Sequence, residues 1–113
     1  MRSICFAFLI MMSNQASAWT EKVFDEFSET GQWGYVAGLT HAFQLYNELL
    51  RKENKSTLYC VPEEFLKDAL PDAVYVNRLI KKLRNKLKKA GREDDDAIAL
   101  LALVALQERF PCE

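Results

Sequence analysis

Three cysteines, a single histidine and a run of three aspartates are the residues whose types could do chemistry in this 113-residue chain. A nucleophilic serine or cysteine needs a base within hydrogen-bond reach, and His41 is the sole histidine to supply one. It sits mid-helix between Thr40 and Ala42, with no serine in a strained-elbow context, so a structural or surface role is expected. Asp94-Asp95-Asp96 suggests a metal, but neighbours on a helix point about 100° apart and cannot converge on one ion. Capping a helix N-terminus and complementing its dipole is the expected role. No set of His, Cys and carboxylates has zinc or calcium spacing. Neither a metal nor a cofactor is expected, and no enzymatic function.

The cysteines carry the remaining chemistry. Residues 1–18, MRSICFAFLIMMSNQASA, combine Arg2, the apolar run Ile4–Met12 and the small-x-small end Ala16-Ser17-Ala18. That is the pattern of a cleaved signal peptide, which places residues 19–113 in the periplasm or another exported compartment. Removal of the leader takes Cys5 with it and leaves Cys60 and Cys112, for which there is only one connectivity. The chain closes on Phe110-Pro111-Cys112-Glu113, where an end would otherwise fray, so Cys112 reads as a tether. Closing so long a loop stabilises by roughly 4 kcal/mol in the chain-entropy picture.

The elements that must position these residues are helical. Trp19–Thr30 reads as a short helix with Val23, Phe24 and Phe27 on one side, broken at Thr30-Gly31. A longer helix is expected from Gln32 to about Lys52, with Val36, Leu39, Phe43, Tyr46 and Leu50 as its apolar stripe. Gly34, Gly38 and Ala42 recur every four residues within it, a spacing that lets another helix approach closely. Arg51–Thr57 is a polar connection, and the Asn54-Lys55-Ser56 match to the glycosylation acceptor pattern is read as a coincidence of a short motif. Pro62 suits a helix start and Pro71 a helix end. Asp72–Ala90 is the clearest amphipathic helix, stopped by Gly91, with Val76, Leu79, Ile80, Leu83, Leu87 and Ala90 on one side. Arg78, Lys81, Lys82, Arg84, Lys86, Lys88 and Lys89 cover its other sides. The last helix is expected to begin near the Glu93–Asp96 acids and to be buried on most sides, because Ala97–Leu106 is apolar all round.

The expectation is therefore an all-α domain, a small bundle of about four helices around a buried C-terminal helix with one disulfide. Its domains are a signal peptide over 1–18 and one helical domain over 19–113. Losing Arg2 takes the formal net charge from −1 to −2, which argues against wholesale binding to nucleic acid or to an anionic membrane. No apolar stretch after residue 18 is long and uniform enough for a membrane anchor.

Specific residues then suggest a family. Tyr35-Val36-Ala37-Gly38 with Ala42, Cys60-Val61-Pro62, and Ala105-Leu106 ahead of Phe110-Pro111-Cys112 resemble the Rap-type (resistance-associated) immunity proteins of type VI secretion. The resemblance runs from about Trp33 to Cys112. It implies a periplasmic immunity protein that binds a secreted peptidoglycan amidase toxin and occludes its active site. The partner would be that cell-wall amidase effector, in a one-to-one or two-to-two complex, the latter implying a homodimer. Cys60 and Cys112 match the family's paired cysteines. Where members often carry a further cysteine before the Gly-Tyr, this chain has Gln32-Trp33, so one bridge is expected.

The candidate contact residues are Arg51, Lys52, Glu53, Asn54 and Lys55 in the connection, and Lys81, Lys82, Lys88 and Lys89 on the basic face. The alternative is a stand-alone periplasmic helical module, chaperone-like, with no toxin partner.

Overall fold

The computed structural model describes residues 19–63, 72–92 and 95–113. They form four helices, α1 (Glu21–Glu26), α2 (Glu29–Lys52), α3 (Ala73–Lys89) and α4 (Ile98–Arg109). The β contact among the described residues is one isolated bridge between Thr20 and Ala97. The all-α bundle read from the sequence is the fold observed. The leader expected over 1–18, residues 64–71 of the helix expected from Pro62 to Pro71, and the acids Glu93 and Asp94 lie outside the described residues.

The core is built on α4. Ile98, Leu101, Ala102, Ala105 and Leu106 are buried, and Leu103 and Val104 pack against the same cluster. Each Leu or Ile so buried contributes about 1.5–3 kcal/mol relative to exposure. α3 presents Val76, Ile80 and Leu83 to this core. Arg109 at the end of α4 donates through Nε to the Tyr75 hydroxyl in the first turn of α3, at 2.8 Å. Leu100 is the exception to the all-round burial expected of α4, and it lies half in solvent.

The first helix ends sooner than its composition suggests. The break falls at Phe27-Ser28, and Thr30-Gly31 belongs to the first turn of α2. Ser28 is the reason: its Oγ accepts from the Gly31 backbone N–H at 3.2 Å and so caps α2. Gln32 reaches back from α2 and donates through Nε2 to the carbonyls of Phe24 (2.9 Å) and Phe27 (3.3 Å) at the end of α1. Phe24 alone of the expected α1 stripe is buried. Phe27 instead stacks on Trp19, whose other face stacks on Tyr35, with ring centroids 4.1 and 4.2 Å apart.

The acids expected to open α4 do something else. α4 begins at Ile98 with no side-chain cap, and Asp95 and Asp96 lie in the extended segment before it. Asp95 Oδ1 accepts from the Lys22 N–H at 3.0 Å, and the Asp96 carbonyl accepts from the Glu21 N–H at 3.0 Å. Both are orphan donors of the first turn of α1. The capping role predicted for the aspartates is real for Asp95, but the helix it caps is α1.

The stripe of α2 is also rotated. The buried row is Val36, Thr40 and Asn47, with Leu39 and Phe43 packed beside it, whereas Tyr46 is 51% exposed. Two of the buried positions are polar because each has a partner. Thr40 donates to the Val36 carbonyl at 2.8 Å, and Asn47 Oδ1 accepts from the Leu58 N–H at 2.8 Å. Among the described residues no helix makes the close approach expected over Gly34 and Gly38, and a Cβ at either would meet nothing within 4 Å.

Candidate partner-binding surface

Arg51–Ser56 is exposed throughout, and its path is fixed at both ends. Asn54 takes the left-handed conformation (φ 56°) directly after α2. Its N–H donates to the Arg51 carbonyl at 3.0 Å, and the Lys55 N–H donates to the Leu50 carbonyl at 2.8 Å. Those two bonds are the Schellman closure of a helix C-terminus, with asparagine in the place glycine usually holds. Downstream, the Leu58 amide is held by Asn47, and Cys60 is bonded to Cys112 with Cα atoms 5.1 Å apart. The Cys60 N–H also donates to the Phe110 carbonyl at 2.9 Å, so chain end and connection are clasped together. The tether read from the last residues is present, and the polar connection is a braced turn.

Beside this turn lies a cleft of about 480 Å³. Leu45, Tyr59 and Val61 give it an apolar floor, and His41, Glu48 and Arg51 rim it. Arg51 is paired with Glu48 one turn back. Burial pushes the Tyr59 phenol up from its ordinary value. His41 is exposed on α2, in keeping with the surface role expected of it.

The lysines of α3 are exposed as expected, but their surroundings differ. Lys81 lines a cavity with Glu29 and Gln32, at the N-terminal end of α2. Lys88 faces Asp25 closely enough to favour its ionised form, and shares a cavity with Asp95 and Asp96. Lys86 pairs with Glu108 at 3.6 Å. Arg84 departs from the solvated face altogether. It turns inward, its Nε donating to Glu21 at 2.7 Å and its two terminal nitrogens to the two oxygens of Asp25 at 2.9 and 2.8 Å.

The structure does not bring the two candidate patches together. Lys81 lies by the start of α2 and Arg51–Lys55 straddle its end, Arg51 and Lys52 being its last residues, and a helix of that length spans about 35 Å at 1.5 Å per residue. Sequence reasoning missed the Arg84 cluster and the Asn47 brace. The signal for Asn47 was present, since it falls in the same three- and four-residue steps as Val36, Thr40 and Phe43. Arg84 gave no signal, because its acids are about 60 residues away.

What the fold and this surface define is a disulfide-clasped α-helical bundle with a braced, charged turn. Among the described residues no group of His, Cys, Asp and Glu is placed to hold a metal ion, and no helix is long and apolar enough to cross a membrane. No family model, curated protein or solved structure matches the chain.

Proposed function

We propose that this chain is a stoichiometric inhibitor, a periplasmic immunity protein that binds a secreted peptidoglycan amidase toxin of type VI secretion and occludes its catalytic cleft. The observation that carries the reading is the turn Arg51–Ser56, wholly exposed yet braced by the Schellman bonds, by Asn47 and by the Cys60–Cys112 bridge. A projecting segment ordered before binding loses little conformational entropy when it enters a cleft, so its contacts convert efficiently into affinity. The resemblance of Cys60-Val61-Pro62 and Phe110-Pro111-Cys112 to the immunity family supplies the class of partner. The turn is the occluding element, and the α3 lysines contribute to steering rather than to the seal.

The reading predicts a secreted amidase encoded beside this protein, and the test is inhibition of its peptidoglycan hydrolysis. A stable complex and complete inhibition at equivalence are expected. Lys52→Glu with Lys55→Glu should raise the inhibition constant by at least tenfold through the dissociation rate. Replacing Lys81, Lys82, Lys88 and Lys89 with glutamate should slow association, with an effect that shrinks as salt is added. The reading is lost if neighbouring amidases hydrolyse their substrate unhindered in excess of this protein.

A further inference from the structure

The bridge between Cys60 and Cys112 lies on the surface. Both cysteines are exposed, as are Pro111 and Glu113 on either side of Cys112. An exposed bridge is open to an outside thiolate, and bridges of that kind are the labile, regulatory ones. Thr57 stands beside both sulfurs. Its Oγ1 is 3.4 Å from Cys60 Sγ and 3.7 Å from Cys112 Sγ, and it donates to the Tyr59 carbonyl at 3.0 Å. The Thr57 carbonyl lies 3.9 Å from Cys112 Sγ. Each sulfur therefore has an oxygen within reach of a thiol S–H before the bridge is cut.

The bridge joins regions that are held in different ways. α3 and α4 lie inside the loop it closes. Their buried faces, Val76, Ile80 and Leu83 on one and Ile98, Leu101 and Leu106 on the other, belong to an apolar core that contains neither cysteine. The edge at Thr57–Cys60 is held to the chain end by hydrogen bonds instead. Gln107 Nε2 donates to the Leu58 carbonyl at 3.2 Å, and the Cys60 N–H donates to the Phe110 carbonyl at 2.9 Å. Single hydrogen bonds add little net stability in water, so this edge opens more readily than the core once the covalent link is gone.

We infer that the bridge is a redox switch, whose reduction by a vicinal dithiol opens the edge formed by Thr57–Cys60 and residues 110–113 and leaves the helical bundle folded. The step is thiol–disulfide exchange. A thiolate of the dithiol attacks Cys112 Sγ, the sulfur nearer the free end, and forms a mixed disulfide. The bond between the two protein sulfurs breaks, and Cys60 Sγ leaves with its electron pair. The Thr57 hydroxyl turns from the Tyr59 carbonyl to donate to that developing thiolate, which then takes a proton from water. The second sulfur of the dithiol displaces Cys112 Sγ, which is protonated in turn. Two electrons and two protons pass to the protein, and the dithiol is left as a disulfide. A disulfide donor reverses each step. The state of the clasp decides whether the turn Arg51–Ser56 is braced on its downstream side. No toxin takes part, so the inference stands apart from the inhibitor reading.

Oxidised protein treated with dithiothreitol in native buffer tests this, with thiols counted by alkylation and amide exchange followed in both states. The bridge should be reduced without denaturant, and the far-ultraviolet helical signal should be kept. Exchange of the Leu58 and Cys60 amides should rise at least about tenfold and outpace Leu101–Leu106 in the same reduced sample. Thr57→Val should be reduced at least about threefold more slowly, and Thr57→Ser, which keeps the hydroxyl, at the wild-type rate. A bridge that yields only in urea overturns the inference. So does a reduced chain that loses its helical signal, unchanged exchange at Leu58 and Cys60, or a Thr57→Val bridge cut as fast as the wild type.

Discussion

Arg84 and Asp25 meet in a two-pronged ion pair across 59 residues of sequence, both terminal guanidinium nitrogens on both carboxylate oxygens. The same guanidinium gives its Nε to Glu21, whose other oxygen accepts from the Asp96 N–H at 3.1 Å. One arginine on α3 thus fixes both α1 and the segment leading into α4. Arg84 and Glu21 side chains are only 18% and 17% exposed, whereas Asp25 is 54% exposed.

Arg84→Met should therefore lower stability by about 1–3 kcal/mol, because it leaves Glu21 partly buried without its cation. Asp25→Asn should cost under about 1 kcal/mol, as solvent already screens that side of the pair. Urea unfolding of the two variants gives the comparison. Equal losses would mean that Glu21 plays no part.

Acid should report on the same pair. The hydrogen bonds from Arg84, helped by its charge and that of Lys88, hold the Asp25 carboxyl below its usual value against the opposing effect of burial. A carboxyl whose folded pKa is depressed stabilises fully above its unfolded value and loses that contribution as pH falls through the folded one. The stability difference between wild type and Asp25→Asn should hold steady from neutrality to about pH 5 and shrink below about pH 4. Urea midpoints across that series measure it, and a difference that widens on acidification would contradict the assignment.

Asn54 offers a backbone test. Its left-handed φ is one that asparagine tolerates and a β-branched residue resists. Asn54→Val should destabilise by about 1–2 kcal/mol, while Asn54→Gly should be neutral within about 0.5 kcal/mol. Thermal unfolding separates the two. If both behave alike, the Schellman closure is not what shapes the turn.

The clasp between Cys60 and Cys112 should matter more than any of these. Cys112→Ala is expected to lower stability by about 2–5 kcal/mol, as removal of a native bridge from a small domain does. Thiol labelling of the unreduced protein should detect neither cysteine until a reductant is added. The buried aromatics beside the bridge, Tyr59 and Phe110, should become the first side chains to gain solvent access when it is cut.

The sequence by itself determined the helical class, the amphipathic span of α3, its stop at Gly91, the near-complete burial of α4, and the pairing of the two cysteines. All of these follow from local periodicity, from a residue needed at one backbone position, or from counting. Tertiary structure decided that Asn47 is acceptable in the core, because its partner, the Leu58 N–H, comes from beyond the helix, whereas Thr40 is satisfied within α2 by the Val36 carbonyl. It also reassigned Asp95 from α4 to α1, since an exposed carboxylate caps whichever unpaired N–H the fold brings to it. Arg84 shows the same limit. Its charge placed it on a solvated face by pattern, and only the approach of Glu21 and Asp25 from α1 made the inward position the more stable one. Side chains whose partners are distant in sequence take their roles from packing, and periodicity carries no record of it.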